Sequence, residues 1–264
     1  GHSYYIPYRR HVAAEGMLPA SESANLSDEA REWLLAIGVA SDPDSDDDTA
    51  RLPWSHALAT MYSPQYISDN AHGLSIDWPR IPIPNDRKIL ERSASLGAQL
   101  AALLDTETPV PGVTSGNICD HLRVIGNVSD TDLRLEAGWG SRDSKGRVNP
   151  GRGKIVERPW TDLERDALSS GFNSIGLTEK DGFLLLGSAI DVHLNENNFW
   201  RGVPESTWNY VIGGYQVIKK WLSYREVALL DRPLFKDEAR EVTGMTRRIT
   251  QIILMSDFLD ANYE

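Results

Sequence analysis

Near Thr106 the chain changes its hydrophobic periodicity, and that change restricts it to a fold in which helices and strands are segregated along the sequence. Before this point apolar residues recur at helical spacing. "NDRKILERSASLGAQLAALLD" places Ile89, Ser93, Leu96, Leu100, Leu103 and Leu104 at helical spacing behind an Asn85 or Asp86 cap, which predicts a long helix. "NLSDEAREWLLAIGV" predicts another, with Ser27 as N-cap, Asp28 and Glu29 where the helix dipole favours anions, a stripe of Ala30, Leu34 and Ile37, and Gly38 as a stop. A further helix is expected over 54–61, ending before Pro64. "DWPRIPIP" must be extended, because Pro79, Pro82 and Pro84 remove donors and push their predecessors out of helical space.

From 106 to 212 short β-prone runs, "LRVIG", "LRLEAG", "KIVERPW", "FLLLGSAIDVHL" and "TWNYVIGG", are broken by Gly, Asn and Asp, with one inserted helix expected near 161–170. "GGYQVIKKWLSYRE" then predicts a helix from Gly214, with Val217, Ile218, Trp221 and Leu222 on one side and Gln216, Lys219, Lys220 and Ser223 on the other. Arg225 projects from the apolar side, either as an end-of-helix arginine stretching to water or as a guanidinium held for a purpose. A last helix is expected over 237–259, with Val242, Met245, Ile249, Ile252 and Ile253 as its stripe. The expected class is α+β: a helical coupling and support region over 1–105, a β-rich unit over 106–212 and a C-terminal helical brace over 213–264.

The net charge of −11 excludes a uniformly basic nucleic-acid binder, so any DNA contact must come from a local patch. No apolar run approaches the roughly 20 residues of a membrane span. A single cysteine, Cys119, excludes an internal disulfide and fits the cytoplasm. The charges are unevenly placed. "SDPDSDDD", over 41–48, has five aspartates and no base, a composition expected of a solvated loop or linker. In "GWGSRDSKGRVNPGRGKIVERPW", over 138–160, Arg142, Lys145, Arg147, Arg152, Lys154 and Arg158 face only Asp143 and Glu157.

Catalytic patterns are largely missing. "GRVNPGRGKIV" fails the P-loop in register and in its last residue, because Lys154 is followed by Ile155. The six histidines and one cysteine are scattered, and the pairs Cys119/His121 and Asp191/His193 read as structural. No G-x-S-x-G turn is present. Nor is there the [DNS]-P-P-[FYW] tetrapeptide of amino-methyltransferases that act on DNA bases. Asp143-Ser144-Lys145 has the D-x-K shape of magnesium-dependent nucleases, although it lies in a glycine-rich loop. No metal ligand set is expected. Two readings of the basic stretch stay open. Its five glycines let a loop enter a DNA groove, with Arg147 and Arg152 on guanine edges and Asn149 on adenine, or it is a solvated hairpin tip.

Several segments together carry a family resemblance: "YSPQYISDNAHGLSIDWPRIPIPNDRKILERSASLGAQLAALLD", "NPGRGKIVERPWT", "VPESTWNYVIGGYQVIKKWLSYRE" and "LDANY". They resemble the C-terminal target-recognition region of type ISP-like restriction-modification enzymes and related large adenine-N6 DNA methyltransferases of phage-defence systems. The resemblance runs from about Asn25 to Tyr263. It implies a sequence-specific module for double-stranded DNA, the C-terminal fragment of an adenine-N6 methyltransferase. It also implies an upstream methyltransferase domain in the same polypeptide that binds S-adenosylmethionine, with no cofactor and no catalytic residue in this chain. The expected DNA contacts are Arg142, Lys145, Arg147, Asn149, Arg152 and Lys154, with Lys219 and Lys220 on phosphates. The alternatives are a metal-dependent nuclease using Asp143 and Lys145, and a non-catalytic scaffold whose basic loop meets an acidic partner.

Overall fold

A computed structural model of the chain describes residues 6–12 and 21–264, and these form two compact units, 1–104 with 255–264 and 105–254. In the first unit a short antiparallel pair, β1 (Arg9–Val12) and β2 (Ser21–Ala24), precedes α1 (Asp28–Ala36). Ser27 caps α1 as its sequence requires, accepting from the Ala30 amide. The aspartate-rich segment does more than the expected solvated loop. Asp46 caps α2 (Asp47–Met61), which therefore begins seven residues before the predicted start, Trp54, and contains Pro53. Asp44 pairs with Arg31 at 2.8 Å and Asp47 with Arg9 at 2.5 Å, so cations from neighbouring elements turn the acidic run into a clasp.

After α3 (Pro64–Asp69) and α4 (Ala71–Ile76), the proline-rich stretch is extended. Its carbonyls accept from the side chains that flank it: Pro84 O from Trp33 Nε1 at 2.8 Å, and Pro82 O from the buried His56 at 2.7 Å. The other His56 ring nitrogen meets Ser93 Oγ at 2.7 Å on α5 (Arg87–Leu104). Burial lowers the His56 pKa, so the neutral ring is the favoured form. The buried face of α5 is Leu90, Ser93, Ala94, Gly97, Leu100 and Leu103, and the predicted Ile89 is instead exposed. Gly97 explains the rotation: a Cβ there would lie 1.7 Å from Ser55 O, so α2 and α5 approach to backbone contact at this point. Gly97→Ala is accordingly expected to cost about 3 kcal/mol, the upper end for overpacking, because the obstructing atom is main chain. An unchanged denaturation midpoint would show that α2 and α5 do not meet there.

The second unit opens with α6 (Asp120–Arg123). Its centre is an antiparallel sheet in the order β3 (Asn127–Val128), β8 (Phe199–Pro204), β7 (Ala189–His193), β6 (Ile155–Arg158). A separate hairpin joins β4 (Gly140–Arg142) to β5 (Val148–Pro150). Two helices lie between β6 and β7: α7 (Asp162–Ser174), with a Thr161/Glu164 capping box, and α8 (Glu179–Leu186), capped by Thr178. The run "FLLLG" is thus the end of a helix, not of a strand. A short apolar run has no period of its own, and the Thr178 cap decides its conformation. "LRVIG" likewise starts inside α6, and "LRLEAG" is extended without joining a ladder.

The remaining elements are α9 (Glu205–Trp208), β9 (Val211–Ile212), β10 (Tyr215–Gln216), α10 (Val217–Leu222), α11 (Val227–Leu230) and α12 (Lys236–Leu254). α12 packs on the sheet through Ala239, Val242 and Ile249, and its Ala239 carbonyl accepts from Trp200 Nε1 at 3.2 Å. The expected single helix over 237–259 is broken at Met255. The following α13 (Ser256–Tyr263) belongs to the first unit, where Asp260 accepts from Ser63 Oγ at 2.5 Å and from the Gln65 amide at 2.9 Å. The brace expected over 213–264 is therefore divided between the units, with 213–254 packed into the second. No helix among the described residues is long and apolar enough to cross a membrane.

Candidate nucleic-acid interface

The β4–β5 hairpin takes its shape from one aspartate and one tryptophan. Asp143 Oδ1 accepts from the amides of Lys145 and Arg147, both at 2.9 Å, and its Oδ2 from Arg147 Nε at 2.9 Å. These bonds, led by the Arg147 amide, hold the Asp143 carboxyl below its ordinary pKa. Gly146, at φ +78°, lets the turn close, and Arg142 Nη1 donates to its carbonyl at 2.9 Å. Asp143 is thus the cap of a tight turn, and no group of three metal-ligating side chains occurs among the described residues.

At the base of the hairpin Trp139 is wholly buried, its Nε1 donating to His193 O at 2.8 Å and its ring meeting Trp208 edge-on at 5.4 Å. Gly151 N donates to Trp139 O at 2.5 Å and Gly153 N to Gly138 O at 3.0 Å. A Cβ on Gly153 would fall 2.0 Å from the Trp139 ring, and φ there is +69°. Glu226 closes the base from below, accepting the Trp139 amide. Burial raises the Glu226 pKa, and the amides of Trp139, Gly138 and Gly140 oppose that shift. Nothing in "SYRE" marks this role, which arises only because the chain returns beneath the hairpin.

All six hairpin candidates, Arg142, Lys145, Arg147, Asn149, Arg152 and Lys154, are exposed and lie together on the hairpin and the strand that leaves it. They differ in freedom. Arg147 is tied to Asp143 and Arg142 to a carbonyl, whereas Lys145, Arg152 and Lys154 make no side-chain hydrogen bond or ion pair among the described residues. The sixth cation of the basic stretch, Arg158, is not available to a ligand. It pairs with Glu164 at 2.7 and 2.8 Å and with Asp191 at 2.9 and 3.0 Å.

The glycine pair has a different role from the one its sequence predicted. Gly213 and Gly214, at φ +58° and +84°, form the two-residue turn of the β9–β10 hairpin, and α10 begins only at Val217. A two-residue turn with positive φ at both central positions suits glycine, which has no Cβ to clash there. "TWNYVI" correspondingly splits into α9 and β9. Lys219 and Lys220 are half-buried, not fully exposed. Lys220 Nζ sits 4.4 Å from the Tyr215 ring centre and 4.9 Å from that of Tyr224, whose hydroxyl raises the lysine's pKa. Arg225 stacks on Trp221 at 4.0 Å and donates to its carbonyl, so the guanidinium is held by the end of the helix that precedes it. The two basic groups adjoin, because Ser223 at the end of α10 lies against Gly140: a Cβ on Gly140 would be 2.0 Å from Ser223 O.

Cys119 and His121 sit at α6, where Cys119 is exposed and His121 is buried against Gln251 at 3.0 Å. Asp191 binds Arg158, and His193 meets Asn195 O at 3.0 Å, so neither pair is arranged as a ligand pair.

Compared with protein families, residues 2–251 match the Type ISP C-terminal specificity domain. The chain belongs to this family. Among solved structures, the DNA-bound ATP-dependent Type ISP restriction-modification enzyme LlaBIII is similar over 98% of this specificity domain at 14% identity, with a TM-score of 0.48. A nuclease-deletion mutant of the Type ISP enzyme LlaGI, in complex with a DNA substrate mimic, is similar over 85% at 16% identity, with a TM-score of 0.41. The specificity domain spans 14% of the first of those chains and 17% of the second. No curated protein matches it.

Proposed function

We propose that this specificity domain reads a base sequence in double-stranded DNA on behalf of a larger restriction-modification enzyme. Membership of the specificity-domain family over residues 2–251 carries the reading, and the exposed cationic hairpin on a rigid tryptophan-anchored base is the part suited to it. Arg152, Arg147 and Asn149 have planar donors for base edges. Lys145, Lys154 and Arg142 flank them for phosphates, and Lys219 and Lys220 supply compact charge beside the hairpin. Arg147 exchanges Asp143 for its base. The parent polypeptide carries an upstream adenine-N6 methyltransferase domain that binds S-adenosylmethionine, and it works in the cytoplasm, in defence against phage. The first unit, 1–104 with 255–264, couples the reader to that domain.

Selection from a pool of random duplexes, followed by sequencing of the retained fraction, tests the reading. Retention without sequence enrichment would refute it. With the preferred site in hand, Arg152→Ala is expected to lose about 1–3 kcal/mol on that site and little on a scrambled duplex. Lys219→Ala is expected to weaken both alike and to lower the salt slope by about one. Equal losses on both duplexes for every hairpin variant would reduce the hairpin to a phosphate clamp.

A further inference from the structure

On one face of α12, Lys236, Arg240, Thr243 and Arg247 line an open cleft of about 530 Å³, with Asn127 and Thr131 on the opposite wall. At about 100° per residue the four helix positions fall within about 60° of one another. The arginine at the far end is in an unusual state. Arg247 is half-buried, its Nη2 donates to Asn127 Oδ1 at 2.9 Å, and its Nε is shut off from solvent with no partner. Burial alone moves its pKa, downward. Two other partly covered arginines, Arg158 and Arg232, meet carboxylates, Glu164 and Glu238, both at 2.7 Å. Arg247 has no such ion pair among the described residues. Asp130, the carboxylate on the cleft wall, is bound to the Thr131 amide at 2.6 Å. A partly desolvated cation without a counter-charge is costly unless an anion completes the site.

We propose that this cleft is a second DNA contact, in which Lys236, Arg240 and Arg247 hold phosphodiesters along one strand. The inference rests on the DNA-reading function but uses a different surface: the cleft lies at the β3 edge of the sheet, whereas the basic hairpin leads into β6 at the opposite edge. A rise of 1.5 Å per residue spreads the three cations over about 16 Å. A DNA strand carries one phosphate per about 3.4 Å of axis, so a row of this length fits a strand and exceeds the reach of one free phosphate. The Asn127 side-chain amide, which gives one N–H to Arg123 O at 2.7 Å, has a second for a neutral contact.

The test uses this chain with Arg247→Met and Lys236→Ala, titrated with the preferred and scrambled duplexes at several salt concentrations. Each variant is expected to lower the salt slope by about one, equally on both duplexes. Arg247→Met is expected to melt no lower than the parent without DNA, because it removes a half-buried cation that has no ion pair among the described residues. If it fails to fold, Lys236→Ala, an exposed position, decides. Unchanged slopes in the folded variants, with Arg152→Ala still losing its preference, would overturn the cleft and leave the reading function standing. Absence of duplex binding by the parent would overturn both. Inorganic phosphate that raises the parent's melting temperature but not that of Arg247→Met, together with unchanged duplex slopes, would make the cleft a free-anion pocket and overturn the strand contact.

Discussion

Trp139→Ala is expected to lower the stability of the second unit by about 3–5 kcal/mol and to release the basic hairpin from its base. The ring is wholly buried and belongs to the same cluster as Ile190, Val192, Trp200, Trp208 and Leu222, so its removal leaves a cavity in the main core of that unit. Three further consequences add to the lost burial. His193 O loses its indole donor, Trp208 loses its edge-on partner, and Gly153 loses the surface against which it is pressed. Trp139→Phe keeps most of the volume but not the donor and should lie between parent and alanine variant. Hydrogen exchange distinguishes a local from a global effect. The Gly151 and Gly153 amides, bonded to the carbonyls of Trp139 and Gly138, should lose protection first. If Trp139→Ala unfolds at the parent's denaturant concentration with both amides still protected, the hairpin is anchored elsewhere.

Arg158→Met is expected to cost a similar 3–5 kcal/mol at neutral pH, for an electrostatic reason. Glu164 and Asp191 are both buried, and Arg158 is the cation that each of them meets. Removing it strands two carboxylates; Glu164 retains its Thr161 bonds, and among the described residues Asp191 keeps only the Gly202 amide, at 2.9 Å. The sign of the pH dependence follows from Glu164. Burial pushes its carboxyl up, but Arg158 and Thr161 outweigh burial and leave the pKa below the ordinary 4.5. Its stabilising contribution in the parent is therefore present above the unfolded value and is lost as pH falls through the lower folded value. In Arg158→Met the Glu164 carboxyl, no longer facing a cation, takes up a proton more readily. The gap between parent and variant should thus be widest near neutrality and shrink as pH falls through the unfolded carboxylate range. A gap independent of pH would show that packing of the arginine stem, not charge, is what the fold requires. Pairing Arg158→Met with Glu164→Gln and Asp191→Asn should recover much of the loss at neutral pH.

Local chemistry made part of this architecture legible. The Ser27 cap, the three-proline extended stretch and the long periodic run of α5 are each decided by bonds or steric limits within a few residues, and the structure has them where the sequence puts them. The shift from helical to strand texture near Thr106 coincides with the end of the first unit's continuous segment at Leu104. The basic stretch was visible as charge, and its glycines as backbone freedom. Its form was not, because the glycine positions matter through what they touch: Trp139 under Gly153, Ser223 against Gly140. Elsewhere the deciding partner was distant in the chain. Gly97 sets the face of α5 by meeting Ser55 on α2, and Asp44 and Asp47 become a clasp only when Arg31 and Arg9 arrive. Arg158 counted as one of six basic residues until Asp191, 33 positions later, neutralised it. Nothing in the sequence sets Arg247 apart, because its Nε loses solvent without gaining a partner only in the folded chain. Propensity and capping act over one or two turns and are written in adjacent residues. Burial and ion pairing depend on which surfaces meet, and only the tertiary arrangement brings those surfaces together.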